Sequence, residues 1–410
     1  MKTLVRNIGT LATPEGKTAH KGNQQGKICY LHDAWIMSED GIISKIGTGE
    51  CPVEADEVID AEGKLVTPGL VDAHTHLIFG GWRNNEMDMK LKGATYLEIL
   101  AAGGGIHSTV KATREASPEE LCAKAGEALR EMLNYGTTTC EAKSGYGLDR
   151  ETEIKQLEVI RKLNEIQPVA LVATFLGAHA LPKEYAECRE KYIDFLCTEL
   201  IPEIAEKRLA EFCDVFCEEG VFTAEETRKI LLAGQKHGLK SKVHADEIYP
   251  IGGSKVAGEI GAVSAEHLIV CNDEGIDALS KGNTVACLLP ATSHYLNAGY
   301  APARKMIEKN VAVAMATDFN PGTCPCLNLQ LVMTLGCLKY RMTPEEVLTA
   351  VTLNAAAAID RAEEIGTLEK GKKADMVIWK AEELSYVCYR MGSNLADRVI
   401  KEGKIVGGTR

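Results

Sequence analysis

The chain has 410 residues, 45% apolar and 25% charged, ordinary globular values that exclude a low-complexity or disordered architecture. Its formal net charge of −12 argues against bulk electrostatic binding to nucleic acid or to an anionic membrane. Met1 to Lys17 lacks the unbroken apolar core of a signal peptide, and no stretch reaches the roughly 18 apolar residues of a membrane span. The 14 cysteines therefore read as reduced thiols, and the expected location is cytoplasmic.

The first 66 residues read as β-rich. Lys27 to Met37 partly alternates β-branched and aromatic residues, and Gly41 to Gly47 is a short strand between glycines. Val58 to Val66 places two short strands around a Glu-Gly turn. Gly366 to Trp379 and Val399 to Val406 have the same texture. Neither end holds enough strands for its own core. The pattern predicts a small β-sandwich domain built from residues 1–66 and 366–410 together.

Residues 67–365 alternate short apolar runs with amphipathic stretches, the pattern of βα units on a parallel sheet. The eight predicted strands are Gly69–Leu77, Thr138–Gly145, Pro168–Ala180, Phe212–Cys217, Ser241–Glu247, Ala262–Ile269, Thr284–Pro290 and Val311–Asp318. Predicted helices include Pro118–Leu133, Thr152–Leu163, Ala224–His237, Asp273–Leu279, Ala301–Glu308 and Pro344–Ile359. Ser117 with Glu120 and Thr343 with Glu346 read as capping boxes. Eight such units predict an α/β fold, a (β/α)8 TIM-like barrel. The rival open sheet lacks its glycine fingerprint after the first strand.

In such a barrel the active site lies at the C-terminal strand ends. His74, His76, His179, His244, His267 and Asp318 all fall there. One histidine alone reads as a hydrogen-bonded core or loop residue, but so many at one barrel face do not. Residues two apart in a strand face one side, so His74 and His76 both point inward. His244 and Asp318 can close a His₃Asp site from strands five and eight, and this donor set suits zinc or iron. A thiolate site from Cys213/Cys217 or Cys324/Cys326 is the rival, without the usual paired C-x₂-C spacing. The run Gly103 to Gly105 is a lone glycine cluster, read as a flexible loop near the site.

VTPGLVDAHTH, with a β domain made from both chain ends, resembles the amidohydrolase superfamily. HLIFGGWRNNE, GGGIHSTVKATR, SGYGLDRETEIK, TFLGAHALPKEY, CDVFCEEGVF, KVHADE, SAEHL and ATDFNPGT, in that order, resemble its imidazolonepropionase family. The resemblance implies hydrolysis of 4-imidazolone-5-propanoate to N-formimidoyl-L-glutamate, a step of histidine degradation, with one zinc or iron ion per subunit. It also points to a homodimer, and to a small-molecule substrate with neither nucleic acid nor membrane as partner. By position it makes His74, His76, His244 and Asp318 metal ligands, and Arg83, Tyr146 and His179 substrate contacts. Glu247 and His267 become the polar pair beside the reacting water, and Asn320, Gly322 and Thr323 contacts to substrate or product. Trp82 and Thr292-Ser293-His294 depart from the family pattern without removing a matched residue.

The chemistry fits these positions. Glu247, His267 or Asp318 can move the proton of the attacking water, and the sequence does not rank them. Arg83 can clamp the propanoate as a planar fork. Plainer readings are a solvated carboxylate for Glu247, an orienting partner for His267 and a surface salt bridge for Arg83. Two rival functions stand beside this one. Another amidohydrolase, such as a cyclic-amide hydrolase or a nucleobase-type deaminase, would share the four ligands but has no use for Arg83 with Tyr146. A catalytically silent scaffold predicts a broken ligand set.

Overall fold

The computed structural model describes residues 1–51, 54–93, 98 and 103–409. The chain begins with β1 (Lys2–Thr13), β2 (Cys29–Glu39), β3 (Ile42–Thr48), β4 (Glu57–Asp60) and β5 (Leu65–Pro68). It continues through β6 (Leu70–Asp72), β7 (Thr137–Lys143), β8 (Ala170–Ala178), β9 (Phe212–Cys217) and β10 (Lys240–Ala245). Next come β11 (Ser264–His267), β12 (Val285–Leu288) and β13 (Val313–Met315), and last β14 (Met376–Trp379), β15 (Ala396–Lys401) and β16 (Lys404–Gly407).

The strands from the two ends share one sheet, in the order β16-β15-β14-β5-β1-β2-β3, with β4 also paired to β1. Val5, Ile8, Leu11, Ile36, Ile43, Met376 and Ile378 pack its core. All these strands belong to one hydrogen-bonded sheet, in which β4 and β5 pair with successive stretches of β1.

The remaining strands run in the order β13-β12-β11-β10-β9-β8-β7-β6, and all pairs are parallel. The barrel closes just beyond the last strand ends. There Asp318 N donates to His74 O at 3.0 Å, and His76 N donates to Phe319 O at 2.9 Å. The chain crosses from one sheet to the other at Gly69. A Cβ there would lie 2.4 Å from Thr138 Oγ1, so a side chain would collide with β7.

All eight predicted strands are present, the first and last as three-residue pieces. Both predicted capping boxes form, and Thr223 with Glu226 makes a third. The predicted helix Pro344–Ile359 is two helices, Pro344–Ala350 and Leu353–Ala358. Adjacent β-branched Val351 and Thr352 fall at the break, where Thr352 leaves the helical region at φ −130°, ψ −91°. Helix Leu329–Tyr340 was not anticipated. It is buried over most of its surface, so it shows no amphipathic period. Among the described residues no helix is long and apolar enough to cross a membrane.

Candidate active site

His74 and His76 follow β6 in the extended segment that closes the barrel, where Thr75 bridges to Phe319. His244 is the penultimate residue of β10, and Asp318 lies three residues past β13. The closure brings their side chains together. His74 Nε2 is 3.5 Å and His76 Nε2 3.4 Å from Asp318 Oδ1, and His244 Nε2 is 3.3 Å from His76 Nε2. Four ligands held at about 2.05 Å in a tetrahedron would stand about 3.3 Å apart. His74 Nε2 and Asp318 Oδ1 are buried with no hydrogen-bond partner, as donor atoms awaiting a cation should be. The residues therefore fit a divalent metal. His267 offers a further nitrogen close to His74 and Asp318. Among the described residues no cysteine joins a ligand group, and Cys324 Sγ is turned to Thr317 O.

The outer atoms of these ligands are held in turn. His74 Nδ1 meets Glu266 Oε2 at 3.1 Å, and His244 Nδ1 lies 3.0 Å from Asp214 Oδ2. Thr292 Oγ1 donates to Asp318 Oδ2 at 2.6 Å, which leaves Oδ1 facing the histidines. Under this layer sit two lysines with no exposed side-chain surface. Lys143 Nζ contacts Glu141 at 2.7 Å and Asp214 at 2.8 Å. Lys242 Nζ lies 3.5 Å from both Glu141 and Glu266, and donates to the Ala73 and Ala358 carbonyls. Burial opposes ionisation of Asp214, but His244 and Lys143 beside it outweigh burial and hold its carboxyl well below the usual range. Burial drives His74 and His76 far below the ordinary histidine value, with nearby cationic groups adding to the shift. They stay neutral, the state in which an imidazole can ligate.

The other expected residues line the same mouth. Tyr146 is buried within 5.8 Å of the His76 ring and 5.2 Å of the His179 ring, centroid to centroid. Burial raises its pKa, so the phenol keeps its proton. His179 stacks on His76 at 4.9 Å and donates from Nδ1 to Gly145 O, which leaves Nε2 as an acceptor. Glu153 accepts from the backbone of Gly145, Gly147 and Leu148 and so fixes the loop that carries Tyr146. Glu247 Oε2 sits 3.6 Å from His267 Nε2. Burial first, then Asp318 and Glu218, push Glu247 up to about 8. Burial takes His267 down to about 3.

His267 and Asp318 have φ of +67° and +58°, left-handed conformations that His and Asp tolerate better than most residues. Asn320 holds the turn after Asp318 together. Its Oδ1 accepts from Gly322 N and Thr323 N, and its Nδ2 donates to Asp318 O. The side chain thus shapes the turn that presents Gly322 and Thr323. Trp82 meets Phe79 and Phe319 edge to face at the rim, half-exposed. Sequence reasoning missed Asp214, Glu266, Lys143, Lys242 and Thr292 as supports of the ligands. For Asp214 the signal available was a charge inside the apolar strand FCDVFC; Lys143, Lys242 and Glu266 stand in polar strands and Thr292 in the helix Pro290–Tyr295, where no such signal exists.

The amidohydrolase family profile matches residues 65–406. An imidazolonepropionase from Alkaliphilus oremlandii is 52% identical over 410 residues, covering 98% of this chain and 97% of that protein. Among solved structures, atrazine chlorohydrolase from Arthrobacter aurescens TC1, complexed with zinc, superposes with a TM-score of 0.75. The match covers 99% of this chain and 95% of that one at 16% identity. A zinc-bound adenosine deaminase from Xanthomonas campestris gives a TM-score of 0.73 at 17% identity, covering 100% and 93%. These two likenesses concern the fold alone. The chain belongs to the amidohydrolase family, and within it to the imidazolonepropionases.

Proposed function

We propose that this chain hydrolyses the lactam C–N bond of 4-imidazolone-5-propanoate to N-formimidoyl-L-glutamate, in histidine degradation. The observation that carries the reading is the nearly buried Arg83 beside the mouth that holds the ligand cluster, its charge felt at the Tyr146 phenol. A substrate with a carboxylate arm uses that cation, whereas a neutral ring in a deaminase does not. The test follows consumption of imidazolonepropanoate and appearance of formiminoglutamate, with metal content measured on the same sample. Turnover of neutral cyclic amides or nucleobases with none of the acid would overturn the reading.

One zinc or iron ion per subunit would be held by His74, His76, His244 and Asp318. Such an ion would supply a nucleophilic water at neutral pH and polarise the ring carbonyl. The chain's own groups do the rest. Arg83 and Tyr146 orient the arm and ring, and His179 Nε2 accepts a ring N–H. A cation held beside Asp318 would offset the charge that raises the Glu247 carboxyl and favour its ionised form, and Glu247 Oε2 would then take the proton of the attacking water and return it to the departing nitrogen. His267, neutral beside it, orients the same water. We infer a homodimer, which sedimentation of the purified protein tests, and a cytoplasmic location, which fractionation of the cells that make it tests.

Two outcomes are expected. Removing metal with a chelator should abolish turnover while far-UV circular dichroism keeps the barrel signal, because the core does not depend on the ion. Full activity in a metal-free preparation would sink the ligand assignment. Arg83→Lys keeps the charge but loses the fork, and should lower kcat/KM by roughly 2–4 kcal/mol. Unchanged kinetics would place Arg83 outside the site.

A further inference from the structure

Arg83 and Glu86 are three residues apart and joined by the single turn Asn84–Glu86, a spacing that brings the carboxylate to the guanidinium. Arg83 Nε donates to Glu86 Oε1 at 2.9 Å, and Nη2 donates to Oε2 at 3.1 Å. Both side chains are nearly buried, 9% and 3% exposed. A guanidinium has two forks, a side-on one (Nε and Nη2) and an end-on one (Nη1 and Nη2). Glu86 occupies the side-on fork. Among the described residues it is the one carboxylate paired with Arg83.

Two further contacts fix the arrangement. Glu86 Oε1 also accepts from Gly105 N at 2.7 Å, tying the carboxylate to the glycine run. On the far side, a Cβ at Gly322 would lie 2.1 Å from Arg83 Nη1, so the guanidinium rests directly against that glycine. Gly322 is itself held by the Asn320 side chain. The cation is thus gripped between two loops that come from opposite ends of the barrel sequence.

We propose that Glu86 is a positioning residue that makes the site selective for ring substrates carrying a carboxylate arm. It acts by presetting Arg83 with its end-on fork committed to that arm. This inference rests on Arg83 being the carboxylate clamp. A free arginine loses rotamer freedom when it binds, and one immobilised beforehand does not. The arm is remote from the reacting bond, so its contact is equally strong in ground and transition states. Losing the presetting therefore raises KM and leaves kcat alone.

The experiment compares Glu86→Gln with the parent holoenzyme on imidazolonepropanoate. It also compares inhibition by 3-(imidazol-4-yl)propanoate with inhibition by 4-methylimidazole, the same ring without the carboxylate. Glu86→Gln should raise KM and the inhibition constant of the acid about ten-fold. It should change kcat and the constant for 4-methylimidazole less than two-fold. Arg83→Lys is measured in parallel. If Arg83→Lys lowers the preference for the acid and Glu86→Gln does not, the clamp stands and the role of Glu86 is overturned. If neither variant lowers it, the clamp itself fails. A fall in kcat with unchanged KM for Glu86→Gln also overturns the proposal. Should Glu86→Gln not fold, Glu86→Asp is read in the same way. Its carboxylate is too short to reach both Arg83 and Gly105, and an unchanged preference there overturns the proposal.

Discussion

Replacing Glu247 with glutamine should lower kcat by roughly 10²- to 10⁴-fold, the usual worth of a positioned general base, with metal content unchanged. The amide keeps the shape and the hydrogen-bonding reach of the carboxylate but cannot accept the proton. Glu247 is not among the converging ligand atoms, and its Oε2 lies 3.6 Å from His267 Nε2. His267→Asn should slow the reaction and retain metal, whereas His244→Asn should lose both. The contrast separates the three groups that can reach one water. Near-normal kcat in Glu247→Gln, with collapse in the His267 or Asp318 variants, would move the proton transfer to those residues. Glu247 would then be a substrate contact.

The residues that converge at the candidate metal site were legible because each stands at a strand end in a short local pattern. His74 and His76 two apart after VTPGLV, and His244 in KVHADE, need no knowledge of distant contacts. The supports were harder to read. Asp214 in FCDVFC is conspicuous as a charge inside an apolar strand, whereas Glu266 in SAEHL stands in a polar one. Which histidine each one meets depends on the register between β9, β10 and β11, and on the distance across the barrel. Glu266 reaches His74 from 192 residues away, a pairing that closure of the barrel creates. The left-handed turns at His267 and Asp318 have no sequence signature either, since only a small fraction of His and Asp residues adopt that conformation. Arg83 was read as an open fork. The structure shows one of its forks filled by Glu86, three residues away, a partner the local spacing already offered.

Lys242→Met should destabilise the fold by about 3–5 kcal/mol, the cost of breaking a buried ion pair from one side. Lys242 has no exposed side-chain surface, and its ammonium lies between Glu141 and Glu266. Methionine fills the same volume with no charge, so packing is kept while two carboxylates lose a buried cation. A second substitution separates charge from shape. In Lys242→Met with Glu266→Gln one of the stranded charges is also removed, and part of the stability should return. Glu266→Gln alone should weaken metal binding about 10- to 100-fold, because His74 loses the carboxylate that orients its ring. Denaturant midpoints measure the stability terms, and competition with a chelator measures the metal affinity. If Lys242→Met unfolds at the parent's midpoint, the buried charges are already satisfied by Lys143 and the Ser264 and Thr174 hydroxyls. Lys242 would then be a packing residue, and the two-lysine floor beneath the ligands would reduce to Lys143 with Asp214 and Glu141.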